Sequence, residues 1–287
     1  MTKIRTKTKN TMEKKNRKGR FLRRTLRVLA VLLLLHCSIL TLMYFFQEKL
    51  IFHPPPALAK DYKFDYDADF EEVNIPTSGK ATLNGLLFHT EKPAKGLVFY
   101  LHGNGGSLEG WGYMSDVYTK LGYDLFILDY RSYGKSTGEI TDKDEFLNDI
   151  RTAYVAMSQK YPQQKIVVAG FSIGTGPAAW LSSVEHPKML ILQAPYFDLA
   201  SIATKRFPMV PTSLLRYNFT TSDYLKNVEC PVYMFHGTSD NIVAYENSVQ
   251  IKKENPKVKF FTIEGLGHMK FNDDPEFQTE LARLLNP

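Results

Sequence analysis

The sequence predicts an α/β fold, doubly wound, with a mostly parallel sheet of about eight strands, a short cap insertion and one transmembrane helix ahead of it. Three observations carry this. Short apolar runs alternate with helix-compatible stretches of ten or more residues, as in a sheet covered on both faces. One run, 165–169, leads into Gly170-Phe171-Ser172-Ile173-Gly174, a serine on a sharp strand-to-helix turn with glycine two residues to either side. The chain also opens on a basic stretch followed by an uncharged apolar one.

Residues 1–27 hold twelve of the 36 basic residues and one of the 30 acidic ones, leaving 24 basic and 29 acidic residues in the remainder, a net −5. The overall +6 therefore belongs to the tail, and the folded part has no electrostatic footprint for nucleic acid. Residues 28–46 contain no Asp, Glu, Lys or Arg. As a helix they extend about 28 Å, against a hydrocarbon core of about 30 Å. Tyr44, Phe45 and Phe46 suit the interface. The positive-inside rule keeps 1–27 in the cytoplasm, makes 28–46 a transmembrane anchor, and places everything beyond it outside: periplasmic, or lumenal or extracellular in a eukaryote. A cleaved signal is the rival reading. Its best cleavage match, Ala57-Leu58-Ala59, follows Pro54-Pro55-Pro56 and lies too far beyond the span. Cys37 falls in the span and Cys230 in the domain, so both read as unpaired thiols.

Residues 47–69 read as a linker and 70–287 as the α/β domain. Strands are expected at 71–76 and 83–90 as an antiparallel pair, then at 96–101, 124–129, 165–169, 189–193, 231–235 and 258–263. Helices are expected near 108–121, over 142–161 with Thr141 as N-cap, after the Ser172 turn, and at 275–285. The stretch from Tyr196 to Lys226 breaks the rhythm and is rich in aromatic residues, which suggests a cap at about 196–227 over the carboxyl edge of the sheet. Ordinary core packing explains the same aromatics nearly as well.

Open α/β sheets carry their sites beyond the carboxyl ends of the strands. Ser172, Asp240 and His268 each follow an expected strand, in the order Ser, Asp, His that an elbow-bearing fold requires. A serine hydroxyl is a poor nucleophile until an imidazole takes its proton, and a carboxylate fixes the imidazole's tautomer. The acid has two rivals, Asp223 and Glu264, and Asp240 could instead cap the helix beginning near Val243. His236 reads as a structural neighbour of Asp240. Negative charge on a tetrahedral intermediate needs two N–H donors. One is Ile173, just after the serine, and the other is Asn104, in His102-Gly103-Asn104-Gly105-Gly106. That loop resembles the His-Gly-Gly motif of esterases. It lacks the Gly-Lys-Ser/Thr continuation of a phosphate loop.

Together the N-terminal span, Leu101–Gly106, Asp129-Tyr130-Arg131-Ser132-Tyr133-Gly134-Lys135-Ser136 and the Gly170–Gly174 turn resemble the α/β-hydrolase superfamily over about 70–285. Within it the chain is similar to membrane-anchored serine hydrolases grouped with the fission-yeast bud-emergence suppressor and the animal α/β-hydrolase-domain lipases and depalmitoylases. Ser132 stands where that group commonly has glycine. The resemblance implies the α/β-hydrolase fold, hydrolysis of an acyl ester or thioester, and Ser172, Asp240 and His268 as the triad. It implies neither metal nor organic cofactor. The partners it implies are a small-molecule or lipid-like acyl substrate and, through the N-terminal helix, a membrane. A serine aminopeptidase-type peptidase and a non-catalytic membrane protein on the same scaffold are the alternatives. The peptidase would need a charged subsite, for which only Asp198 and Asp223 lie between Pro195 and Lys226.

Overall fold

In the central strands every residue is apolar or nearly so, and successive side chains go to opposite faces. In β3 (Leu97–Leu101), Leu97, Phe99 and Leu101 enter one core while Val98 and Tyr100 enter the other. β4 (Asp124–Leu128), β5 (Ile166–Phe171) and β6 (Met189–Gln193) divide in the same way. With β1 (Phe70–Pro76), β2 (Thr82–Phe88), β7 (Val232–Gly237) and β8 (Lys259–Ile263), they form a sheet among the described residues in the order β1-β2-β4-β3-β5-β6-β7-β8. β3 to β8 pair in parallel, and β2 runs antiparallel to both its neighbours. The fold is the α/β-hydrolase fold, and the strands lie where the hydrophobic runs predict them. The computed structural model describes the backbone of residues 2–286 and the side chains of residues 17–286.

The chain divides after Gln47 into two units. The first is a single helix, Thr2–Phe45, so helical backbone continues from the apolar stretch into the basic tail. Its portion Arg17–Phe45 is long and apolar enough to cross a membrane.

Several local expectations are corrected. The stretch 47–69 is not a free linker. Gln47–Ile51 is helical, and Phe52 is 3% exposed, set against Phe146, Tyr217 and Phe219. The Leu58 N–H donates to Gly134 O at 2.9 Å, and the Tyr66 hydroxyl donates to the carbonyls of Leu108 and Glu109. The helix expected at 108–121 breaks into Leu108–Trp111, a 3-10 turn and Ser115–Thr119. Gly112 in that break is required by Tyr66, whose ring would lie 2.2 Å from a Cβ there. Thr141 does not cap Lys143–Ser158. Asp142 does, its Oδ1 accepting from the N–H groups of Asp144 and Glu145 at 2.9 and 3.0 Å. Asp274 caps Pro275–Leu285 in the same manner, with proline at the first helical position.

The expected cap is small. It consists of the helices Leu199–Arg206 and Thr221–Leu225 and the loop between them. Tyr217 and Phe219 within it are fully buried in the core and cover no open site, so core packing accounts for them.

Candidate active site

Ser172 follows β5 directly and has φ +52°, in the left-handed region that costs an L residue roughly 1–2 kcal/mol. Two close approaches hold the turn. A Cβ on Gly170 would lie 2.6 Å from Gly174 O, and a Cβ on Gly174 would lie 2.3 Å from Leu101 O at the end of β3. Glycine is thus demanded at both positions by backbone-to-backbone contact. The turn presents Ser172, 8% exposed, to His268 and Asp240, which are 6% and 8% exposed.

The three side chains form a hydrogen-bonded row. His268 Nε2 lies 2.9 Å from Ser172 Oγ, and His268 Nδ1 lies 2.6 Å from Asp240 Oδ2. The carboxylate has no proton to give, so Nδ1 carries one and Nε2 accepts the serine hydroxyl. Asp240 Oδ1 meanwhile accepts from the N–H groups of Ile242 and Val243, each at 2.9 Å. One oxygen thus bonds His268 and the other bonds Asp240's own loop; the cap role is not filled, because the helix begins only at Glu246 with Tyr245 at its N-cap position. Burial by itself would raise this carboxyl. Hydrogen bonds from His236 and His268, the His268 charge and the Ile242 N–H outweigh burial and hold it well below the ordinary carboxylate range. The rival acids lie elsewhere: Glu264 accepts from Thr238 Oγ1 at 3.0 Å, and Asp223 pairs with Lys226 at 2.6 Å.

His102–Gly106 leaves β3 alongside this turn. Gly105 and Gly106 have φ +78° and +71°, and a Cβ on Gly103 would lie 2.7 Å from the Phe171 ring. The Asn104 backbone N–H has no acceptor among the described residues. The Ile173 N–H lies in the first turn after Ser172, where N–H groups have no intrahelical acceptor. A hydroxyl hydrogen-bonded to an imidazole can attack a carbonyl, a step that leaves an oxyanion for backbone N–H groups to hold. Among the described residues no group of three His, Cys, Asp or Glu is placed to hold a metal ion. Burial pushes the Cys230 thiol up to about 11, which leaves it protonated and unreactive at neutral pH.

Residues 96–223 match the alpha/beta hydrolase fold family. The chain is similar to alpha/beta hydrolase domain-containing protein aho-3 of Caenorhabditis elegans, 31% identical over 194 residues, covering 65% of this chain and 55% of that protein. It is also similar to alpha/beta hydrolase domain-containing protein 17B of Homo sapiens, 29% identical over 198 residues, covering 67% of this chain and 65% of that protein. It thus spans less than two thirds of either relative. The esterase Pf2001 of Pyrococcus furiosus has the same fold, with a TM-score of 0.64 at 22% identity, covering 81% of this chain and 98% of that one. The family match and these relatives support the α/β-hydrolase superfamily for this chain.

The superfamily resemblance at Asp129–Ser136 has a structural basis in this fold. Both Asp129 carboxylate oxygens lie 3.1 Å from the Leu108 N–H, which fixes the loop leaving His102–Gly106. Burial raises the Asp129 carboxyl against the opposing hydrogen bonds from His102 and the Leu108 N–H. The Tyr130 hydroxyl donates to His102 O at 2.8 Å, and the buried Arg131 guanidinium is held by Asp149 and Glu145. Ser132 has φ +68°, the reason glycine is common there. A Cβ on Gly134 would lie 1.9 Å from Asp129 Oδ2.

The histidine expected as a structural neighbour of Asp240 lies directly against its carboxylate. His236 is fully buried, with Nε2 at 2.9 Å from Val243 O and 3.2 Å from Asp240 Oδ2, and Nδ1 at 2.6 Å from Ser248 Oγ. Two acceptors at Nε2 place the proton there, so the Ser248 hydroxyl donates to Nδ1. The signal was its position four residues before Asp240 in one loop. Phe171, which precedes Ser172, lines a small cleft open to solvent together with Trp111, Tyr113, Gln193, Met269 and Phe271.

Proposed function

We propose that this protein is a membrane-anchored serine hydrolase that cleaves an acyl ester or thioester through an acyl-enzyme. The observation that carries the proposal is the row Ser172–His268–Asp240 at 2.9 and 2.6 Å, standing on a strained strand-to-helix turn. Ser172 Oγ attacks the acyl carbonyl while His268 Nε2 takes its proton, then returns it to the departing alcohol or thiol. Water repeats the attack on the acyl-enzyme with His268 again as base. Asp240 keeps His268 in the productive tautomer. The Asn104 and Ile173 N–H groups hold the oxyanion, each worth roughly 3–4 kcal/mol by comparison with other acyl-transfer enzymes.

A lipid-like or acylated substrate is favoured by the rim. Ile242 and Met269, neighbours of Asp240 and His268 in the chain, are 61% and 58% exposed. Covalent reach adds to this. Ile51 lies five residues beyond Phe46, at most about 18 Å of chain, so a spanning helix keeps the domain at the bilayer. Leucines and valines around the helix Thr2–Phe45 are exposed, as a membrane-embedded surface would be. A cut after Ala59 would remove Phe52 from the core, which favours an uncleaved anchor with the basic tail in the cytoplasm. The peptidase alternative is less favoured, because Asp198 accepts from the Ser201 N–H and Asp223 pairs with Lys226.

The test is labelling by a fluorophosphonate probe beside hydrolysis of p-nitrophenyl esters of increasing chain length and of aminoacyl anilides. Labelling lost in Ser172→Ala, with ester turnover exceeding anilide turnover, is the expected result. An unlabelled wild type ends the hydrolase reading, and preferential anilide turnover turns it into the peptidase. Protease protection of the C-terminus in sealed vesicles reads the topology.

A further inference from the structure

The segment that joins the N-terminal helix to the domain reaches the loop that bears Asn104, and it does so through the Asn104 side chain. Asn104 Oδ1 accepts from the His53 N–H at 2.8 Å, the Tyr133 hydroxyl at 2.9 Å and the Gly105 N–H at 3.1 Å. Asn104 Nδ2 donates to Ile51 O and, at 2.8 Å, to His53 Nδ1. Every donor and acceptor of the amide is thereby engaged, and three of the five bonds come from Ile51 and His53, about fifty residues away in sequence. Between them Phe52 is buried against Phe146 and Tyr217, with centroids 5.1 and 5.6 Å away, which seats the segment like a plug. Removing the phenylalanine ring from water helps keep the short segment in place. Tyr133, itself fully buried, closes the ring by accepting from the His53 N–H at 3.2 Å.

From this clasp we infer that Ile51-Phe52-His53, where the helix Gln47–Ile51 ends, position the Asn104 backbone N–H for the oxyanion, so that the connecting segment belongs to the active site. The inference rests on the hydrolase reading and on Asn104 as an oxyanion donor. Its logic is steric and electrostatic. Gly103, Gly105 and Gly106 leave the loop backbone with little side-chain restraint, and an oxyanion donor acts only when held at hydrogen-bond distance from a charge that exists briefly. A side chain locked at five points orients its own backbone N–H. His53 is a positioning residue here, since it touches Asn104 and no reacting atom.

The experiment uses the full-length protein in detergent or vesicles, with a short soluble p-nitrophenyl ester. His53→Ala removes the Nδ1 acceptor while keeping the backbone N–H. His53→Asn puts an acceptor oxygen back at nearly the same place. The expected result for His53→Ala is a kcat about tenfold lower with KM within twofold, and a parallel loss of affinity for a boronic acid that mimics the tetrahedral intermediate. His53→Asn should recover most of both, with Tm unchanged in either variant. Asn104→Ala should lower kcat similarly, and the double variant with His53→Ala should lose little more. Wild-type kcat and boronate affinity in His53→Ala overturn the inference, as does a loss that moves with Tm or that His53→Asn does not recover. Fluorophosphonate labelling of the wild type separates the two levels. A labelled wild type with an indifferent His53→Ala sinks the clasp alone, whereas an unlabelled wild type sinks the hydrolase reading and the clasp together.

Discussion

The loop carrying Asp240 and the loop carrying Asn104 lie at the same end of the sheet, yet they are held by opposite means. The Asp240 side chain is held largely from within its own loop. His236, Asp240, Ile242, Val243 and Ser248 satisfy one another within thirteen residues, while His268 meets Asp240 and the turn 264–266 meets Thr238 and Ser239. The Asn104 loop is glycine-rich and holds little of itself. It is secured from outside by Phe171, Tyr130, Tyr133, Asp129 and the Ile51–His53 segment. Side chains that do chemistry fit a local network, because a carboxylate and an imidazole attract each other strongly at short range. A backbone donor has no side chain to be recognised by, so the fold must immobilise the peptide around it.

This contrast can be broken or sharpened by substitution, starting where the effect is greatest. Ser172→Ala should lower kcat by roughly 10⁴–10⁶-fold, measured on a p-nitrophenyl ester with active-site concentration fixed by protein mass. Asp240→Asn should lower it by about 10⁴-fold by presenting the wrong hydrogen-bonding partner to His268. It should also change the acid limb of stability. The folded carboxyl titrates below the unfolded chain's value of about 3.9, so its contribution is present above about pH 4 and is lost as pH falls toward the folded value. Wild type and Asp240→Asn should therefore differ in Tm at pH 6 and converge as the pH is lowered toward 2. If the Asp240 side chain is held largely from within its own loop as argued, His236→Phe should cost about 10–100-fold in kcat by freeing the carboxylate, with KM nearly unchanged. A variant with full activity would show that Ile242 and Val243 suffice.

The smaller effects test the scaffold. Gly174→Ala forces a Cβ against Leu101 O and should destabilise the domain by about 1–3 kcal/mol, read by denaturant midpoint. Ser132→Gly should act the other way. Relief at φ +68° outweighs the added freedom of the unfolded glycine, giving about 0.5–1 kcal/mol and a small rise in Tm. A fall in Tm would show that the Ser132 Oγ bond to Gly138 O, at 3.3 Å, outweighs the strain.

Much of the sheet was legible because each central strand is a short apolar run, and burial on both faces leaves no other reading for it. The Ser172, Asp240 and His268 positions were legible because each follows such a run. The misreadings have one cause. Pro54-Pro55-Pro56 and the acidic residues after them look like solvent-exposed linker, yet Tyr66 is tied to Leu108, Leu58 to Gly134, and Phe52 to Phe146, Tyr217 and Phe219. The aromatics of 196–227 look like a cap because nothing local says which face of the chain Tyr217 and Phe219 occupy.

Local pattern alone accounts for the order of Ser172, Asp240 and His268 after their strands, the glycine turn around Ser172, the apolar N-terminal helix and the separation of a basic tail from a mildly acidic domain. These follow from periodicity, charge and local sterics, which act over a few residues. Packing in three dimensions adds that Asp240 bonds His268 with one oxygen and its own loop with the other, and that the segment at the end of the helix Gln47–Ile51 grips Asn104. The Asp240–His268 and His53–Asn104 contacts join groups far apart in the chain. Their existence depends on how two faces of one sheet close, and no short-range pattern encodes that.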